Sequence, residues 1–328
     1  MHMTATLEIV IPESRRGERL DLALAGLFPA YSRSRLKTWI EAGRVLVDGR
    51  VLRPRDLVMG GERVRLEPEL ESVQTHSAAQ AITLQIAYED ESLLVVNKPA
   101  GLVVHPGAGN PDRTLQNALL HYDPSLNALP RAGIIHRLDK DTSGLLVIAR
   151  DLLAHTALTR ALAARDVSRE YTAICVGEMT GGGRVDAPIG RHASDRLRMS
   201  VRSDGRPAVT HYRVLGKYRG YTHVQVNLET GRTHQIRVHL AHVGYPIVGD
   251  PLYLKRRSLP PAATAQLTAT LRGFRRQALH AARLGFAHPK SGKPIEVIAP
   301  VPADFEALIT VLKTDLALTR AAQADLRR

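Results

Sequence analysis

His136-Arg137-Leu138-Asp139-Lys140-Asp141-Thr142-Ser143-Gly144 lies between Ile134-Ile135 and Leu145-Leu146-Val147-Ile148-Ala149. A dense group of charges is thereby pinned between two apolar segments that read as buried strands. A loop clamped at both ends by core strands is rigid, and rigid loops are where a chain can hold a carboxylate at fixed geometry. Asp139 stands near its middle with cations on either side.

Outward from this loop, short apolar runs recur at 93–96, 145–149, 171–176, 207–215 and 221–228 between Gly, Pro and Asn breaks. Helical periodicity is confined chiefly to 114–120, 151–165 and 233–242. The pattern predicts an α+β fold, a mixed and mainly antiparallel sheet decorated by helices. No internal repeat interrupts it.

The first part of the chain is organised differently. Leu20, Leu24 and Leu27 fall on one helix face that ends near Pro29. A second helix follows, with Ser32 as its N-cap, Leu36, Trp39 and Ile40 as its buried stripe and Gly43 as its stop. Arg33 and Lys37, four residues apart, share an outer face. Val45 to Val51 reads as a hairpin around Asp48-Gly49, and Arg63 to Leu66 as a further strand. Residues 15–67 therefore form a small basic α/β-type module, 68–81 a linker poor in aromatics and periodicity, and 82–328 the main domain.

The chain has 328 residues, of which 44% are apolar, enough for two domains with real cores. Lys and Arg outnumber Asp and Glu by 45 to 32, a net charge of +13. Such a surface suits a polyanion, and nucleic acid is the leading partner because phosphate neutralisation supplies most non-specific affinity. Cys175 is the single cysteine, which excludes an internal disulfide and a thiolate-rich metal site. No apolar stretch reaches the roughly 18 residues of a membrane span, and acids and arginines stand where a signal peptide needs a hydrophobic run. A cytoplasmic protein is expected.

Two further segments are built like site loops. Asn97-Lys98-Pro99-Ala100-Gly101-Leu102-Val103-Val104-His105-Pro106-Gly107 follows a strand and is rich in residues that fix backbone shape. Glu229-Thr230-Gly231-Arg232-Thr233-His234-Gln235-Ile236-Arg237-Val238-His239 runs from a strand into a helix. With Thr233 as N-cap, Ile236 and Leu240 share one face and Arg237 comes one turn after His234. His234, His239 and His242 have metal-like spacing, but there is no H-E-x-x-H and no cysteine partner, so no metal is expected. Lys255-Arg256-Arg257, Arg272 and Arg275-Arg276 flank a stretch rich in Ala, Pro and Thr that reads as a mobile basic loop.

These three segments together resemble the RluA-type RNA pseudouridine synthases. The matching motifs are Lys98-Pro99 through His105-Pro106; His136-Arg137-Leu138-Asp139 with Thr142-Ser143-Gly144-Leu145-Leu146; and Gly231 through His239. The likeness continues in Gln277-Ala278-Leu279-His280-Ala281 and Phe286-Ala287-His288-Pro289, and so covers nearly all of 85–300. Residues 18–66 are similar to the alpha-L RNA-binding module shared by a ribosomal small-subunit protein and some tRNA synthetases. The combination resembles the branch of the family that acts on large-subunit ribosomal RNA.

The resemblance implies the pseudouridine-synthase fold and isomerisation of specific uridines in RNA without a cofactor. It makes Asp139 the catalytic aspartate, Arg237 its ion-pair partner, Tyr171 the residue that stacks on the extruded base and Arg137 an arginine that enters the vacated space. Arg169 stands where relatives commonly carry lysine. Arg33, Lys37, Arg44, Lys98 and Arg232 are the expected RNA contacts, with a solvated helix face open for the first three and loop shaping equally open for Lys98, while His136, Thr142 and Gly144 frame the catalytic loop. The implied partner is ribosomal RNA or a pre-ribosomal particle, met by a monomer. Read on their own, the residues leave other roles open: Asp139 as a turn or capping aspartate, Arg237 as a surface arginine, Tyr171 as core filling with Ala173 and Cys175. A non-catalytic RNA-binding or ribosome-assembly factor is the competing function, and a hydrolase releasing free uracil a third.

Overall fold

The computed structural model describes residues 6–28, 31, 33–67, 78–107, 109–195, 197–254 and 259–325. Ser32, most of the segment 68–81 and the basic run 255–257 fall wholly or largely outside the described residues. The chain divides into two compact units, Met1–Gln74 and Thr75–Arg328.

The first unit holds β1 (Leu7–Val10), α1 (Leu20–Leu27), α2 (Arg33–Glu41), β2 (Val45–Val47) and β3 (Arg63–Leu66). The strands form an antiparallel sheet in the order β1-β3-β2. Leu20 and Leu24 of α1, Leu36, Trp39 and Ile40 of α2, and Val45, Val47, Val64 and Leu66 of the sheet make its core. The hairpin expected at 45–51 is corrected. Asp48 and Gly49 do turn the chain with positive φ, but only one bridge, Val47 to Arg50, closes across the turn. β2 pairs instead with β3, whose Val64 and Leu66 point inward at period two and complete the core.

The second unit is built on one nine-stranded sheet. Its elements are β4 (Ile86–Glu89), β5 (Leu93–Lys98), α3 (Leu115–Tyr122), β6 (Ser143–Ala149), α4 (Leu152–Ala164), β7 (Ser168–Val176), β8 (Gly183–Asp186), then β9 (Ile189–Arg191) and β10 (Met199–Val201) as a separate pair. β11 (Val209–Tyr218), β12 (Tyr221–Leu228), α5 (Gln235–His242), α6 (Ala265–Gly273), β13 (Leu279–Ala287), β14 (Pro294–Ile298) and α7 (Ala303–Asp325) follow. The strand order is β4-β5-β6-β13-β7-β12-β11-β8, with β14 on β13. All pairings are antiparallel except β6 with β13. The sheet is thus mixed and mainly antiparallel, as expected.

Both faces of its centre are covered, which is why β5 and β6 read as unbroken apolar runs. Leu94, Val96, Leu146 and Ile148 join a large core with residues of α3, α5, α6 and α7. Leu93, Val95, Leu145, Val147 and Ala149 face the other way, onto Ala154 and Leu158 of α4. The parallel β6–β13 contact depends on Gly144, whose φ of 115° and close approach to the backbone of Ala281 leave no room for a Cβ.

Ile134-Ile135 is not a strand. Arg131, Ala132 and Gly133 all have positive φ, so the chain turns sharply and only Ile134 bridges to Ile148 of β6. The stretch expected as a mobile basic loop also differs. Thr264 caps α6 by accepting the Leu267 N–H, and Leu267 and Leu271 are buried. Arg276 pairs with Asp304 at 2.7 Å. A threonine cap ahead of leucines four apart is a helix signal that outweighs the Ala-Pro-Thr composition.

Candidate active site

Asp139 sits in the loop that enters β6, and neighbouring elements fix that loop by hydrogen bonds. Thr142 N–H donates to the Asp139 carbonyl at 3.1 Å, closing the turn. Gln277 Nε2 donates to Thr142 Oγ1 at 2.9 Å, and Val147 N–H donates to His136 Nε2 at 3.1 Å. Ser143 Oγ lies 2.9 Å from His280 Nδ1 on β13. Burial, with Arg169 nearby, pushes the His136 imidazole down to about 3, consistent with an unprotonated Nε2 that accepts.

Lys98 belongs to this frame and not to the RNA-facing surface. It ends β5 opposite Gly144, is fully buried, and its Nζ donates to the carbonyls of Pro99, Leu102 and Lys140 at 2.8, 2.9 and 2.9 Å. Three carbonyls match the three donors of an ammonium. Burial pulls the group down to about 7, against the opposing pull of Asp141 and Asp139. Of its two sequence readings, these contacts match loop shaping: the side chain ties the 97–107 segment to the aspartate loop.

Arg237 reaches Asp139 from α5. Its Nη1 lies 2.9 Å from Asp139 Oδ2, while Nε and Nη2 bind Asp250 Oδ2 and Oδ1 at 2.7 and 2.9 Å. Asp250 is held in turn by the N–H groups of Leu252 and Tyr253. Burial alone would weaken the guanidinium's charge, but the bonds to Asp250 and the charge of Asp139 more than reverse this and raise its pKa. Asp139 therefore has one oxygen engaged, and its side chain keeps 17% exposure.

The expected cap of α5 is corrected as well. The helix starts at Gln235, and the N-cap position belongs to His234, which has left-handed φ 55° and ψ 20° and makes no side-chain cap. Gln235 ties the turn down instead, accepting from Thr230 Oγ1 and Arg232 N–H and donating to Val209 O and Thr210 Oγ1. The twist directs His234 toward Asp139, with Nε2 3.9 Å from Oδ1. His239 points elsewhere, buried against Thr210 Oγ1 and the Ala187 carbonyl. Among the described residues, no group of three or more His, Cys, Asp or Glu is arranged to hold a metal ion.

His136, Asp139, Thr142, His234, Gln235 and Arg237 line one cavity of about 510 Å³, within the usual range for a ligand site. Tyr171 lines it from β7 while packing in the core beside Ala173 and Cys175, so its two sequence-level roles are both compatible with its place. Burial pushes its phenol up, so the ring stays neutral. Among the described residues, Arg131, Arg137, Arg165, Arg169, Arg232 and Arg237 line the cavity against two acids, Asp139 and Glu229. Arg137 is exposed, and Arg232 Nε donates to the Pro207 carbonyl. Arg169 is buried with its Nε lacking a hydrogen-bond partner among the described residues, and a Cβ on Gly231 would crowd its guanidinium.

Arg33, Lys37 and Arg44 belong to the first unit and are not among the cavity's residues. Arg33 pairs with buried Asp21 at 2.7 Å and Lys37 with Glu41 at 3.6 Å. Asp250, Tyr253, Arg131 and Arg165 were not singled out by sequence. Gly249-Asp250-Pro251 carries only a turn signal.

Similarity to known proteins agrees with this geometry. A family model described as RNA pseudouridylate synthase matches residues 92–242, and an S4 domain model matches 18–64. Ribosomal large subunit pseudouridine synthase D of Xanthomonas campestris is 58% identical over 316 residues, covering 96% of this chain and 95% of that one. The chain belongs to the RluA-type RNA pseudouridine synthases. The synthase D proteins of Pseudomonas aeruginosa and Escherichia coli K12 are 55% and 51% identical over 305 and 316 residues, covering 93% and 96% of this synthase and 95% and 97% of theirs. Among solved structures, human RNA pseudouridylate synthase domain containing 4 matches with a TM-score of 0.55 at 27% identity, over 70% of this synthase and 93% of that chain. Domain containing 1 matches at 0.52 and 29% identity, over 69% and 86%. The synthase is an isomerase with an RNA partner and an N-terminal S4 domain. Among the described residues, no helix is long and apolar enough to cross a membrane.

Proposed function

We propose that this protein converts specific uridines of large-subunit ribosomal RNA to pseudouridine, acting as a cytoplasmic monomer without a cofactor. The supporting observation is that Asp139, Arg237 and Tyr171, from a loop, a helix and a strand far apart in sequence, line one cavity with Arg237 2.9 Å from Asp139. The naming of close relatives as ribosomal large subunit synthases supports the choice of RNA.

The reaction breaks the bond between ribose C1′ and uracil N1, turns the base, and joins C1′ to C5. The proton lost from C5 balances the one gained at N1, so nothing is oxidised and no energy source is required. Asp139 starts the reaction from its uncommitted oxygen, by attack on C1′ or by taking the ribose C2′ proton. Arg237 holds the carboxylate in place. A base leaving its stack costs a few kcal/mol, and stacking on Tyr171 returns about 1–3 kcal/mol. Arg137 occupies the space the base leaves, and Arg232 with the other cavity arginines neutralises phosphate.

Mapping pseudouridine in ribosomal and transfer RNA from cells with and without the gene tests the substrate. Loss confined to large-subunit RNA is expected; loss confined to transfer RNA, or no loss, contradicts it.

A further inference from the structure

Met199 N–H donates to the Tyr253 hydroxyl oxygen at 2.8 Å, and that hydroxyl lies 2.8 Å from His234 Nδ1. Met199 N–H can only donate, so among the described residues Nδ1 is the acceptor available to the phenol's one proton, and the arrangement that uses that proton has Nδ1 accepting. In that arrangement the neutral ring carries its own proton on Nε2. Tyr253 also fixes the ring's orientation, edge-on at 5.7 Å and 80°. Burial lowers the imidazole's pKa, so the neutral form prevails at neutral pH.

Nε2 has no hydrogen-bond partner among the described residues, since its distance of 3.9 Å to Asp139 Oδ1 exceeds a hydrogen bond. Oδ1 is also the oxygen that Arg237 leaves uncommitted. A substrate atom addressed by Oδ1 therefore arrives beside an oriented N–H. The left-handed backbone at His234 points the same way, because a side chain rarely adopts it and such conformations gather at functional sites.

We propose that His234 is a catalytic residue whose Nε2–H donates to a substrate oxygen flanking the scissile glycosidic bond, either uracil O2 or the ribose 2′-hydroxyl. As the C1′–N1 bond breaks, its electron pair moves into the uracil ring and reaches O2, where a preorganised donor stabilises the developing charge. A donor on the 2′-oxygen instead orients the ribose against Asp139. The inference rests on the proposed role of Asp139.

Single-turnover kinetics on an RNA target test it with His234→Phe, which keeps a ring against Tyr253 but no donor, and His234→Gln, which restores an N–H. The Phe variant is expected to lose about 10²-fold or more in rate with RNA affinity within threefold, and Gln to recover part of the loss. Substrates with 2-thiouridine or 2′-deoxyuridine at the target assign the acceptor, since the Phe penalty shrinks on the one lacking it. Should the Phe variant not fold, Tyr253→Phe decides, because freeing the tautomer is expected to slow the rate while leaving His234 in place. A His234→Phe rate within threefold of wild type, a loss that Gln does not relieve, or, where Tyr253→Phe decides, a rate equal to wild type would overturn the proposal. Asp139→Ala run alongside separates the two ideas: turnover there defeats the role of Asp139, whereas a dead Asp139→Ala beside an active His234→Phe defeats only this inference.

Discussion

Arg237 divides its guanidinium unequally between two carboxylates, giving two bonds to Asp250 and one to Asp139. Asp250, fully buried, thereby sets the angle at which Arg237 meets the reactive aspartate and leaves Oδ1 uncommitted. Removing one partner of a buried pair costs about 3–5 kcal/mol. Asp250→Ala should lose stability of that order in urea titrations, and Asp250→Asn, which keeps the shape, less. Both should slow turnover, since about 1 Å of misplacement costs on the order of 10²-fold. Wild-type turnover by either variant would mean that Arg237 does not need this support.

Lys98 provides a contrast with the cavity arginines. Lys98→Met should cost roughly 2–4 kcal/mol by leaving buried carbonyls unpaired, and should slow turnover by loosening the Lys140 end of the loop. RNA affinity and its salt dependence should stay as they are, because the ammonium does not reach the surface. Arg232→Gln should do the reverse, weakening RNA binding with little change in the urea midpoint. A flattened salt slope in Lys98→Met would restore Lys98 as an RNA contact.

His136 should make stability fall in mild acid. Its folded pKa, about 3, lies below the unfolded value of about 6.5. Above 6.5 neither state binds the proton; between 6.5 and 3 only the unfolded chain does, so stability is lost as pH falls through that window. His136→Gln keeps an acceptor for Val147 N–H without titrating. Between pH 7 and 4.5 it should lose on the order of 2 kcal/mol less than wild type, measured by urea denaturation. Parallel curves for the two proteins would show that His136 does not carry the effect.

The first unit offers a test of RNA binding that leaves the cavity intact. Replacing Arg33, Lys37 and Arg44 together with Gln should reduce RNA affinity, with the log–log salt slope falling by roughly 0.7 for each single-strand phosphate no longer neutralised. All three already have partners within the protein, Arg33 with Asp21 and Lys37 with Glu41 among them, so a fall below the roughly 2 that three freed phosphates would give is expected. An unchanged slope would assign RNA binding to other residues.

The apolar runs of β5, β6 and β7 were legible because strands covered on both faces need apolar residues at successive positions, whereas β11 and β12 showed through the alternation of strands buried on one face. β13 was less so, since His280, Arg283 and Gly285 interrupt its run. α7 had a signal in Phe305, Leu308 and Leu312, diluted by the alanines and threonines around them. Asp139, Arg237 and Tyr171 could be singled out from motifs, but the distances between them could not. Long-range pairing also hid Asp250, which looks like an ordinary turn aspartate until Arg237 is brought to it. Nothing local marks His234 as left-handed or Lys98 as buried; Gln235, the strands beneath and three converging carbonyls impose those states.

The most direct measurement is pseudouridine formation by Asp139→Ala on a natural large-subunit RNA target, under single-turnover conditions with the variant's fold checked by circular dichroism. The predicted result is RNA binding near the wild-type level with no detectable product. Product formed at a measurable fraction of the wild-type rate would contradict the assignment of Asp139 as the residue that starts the reaction.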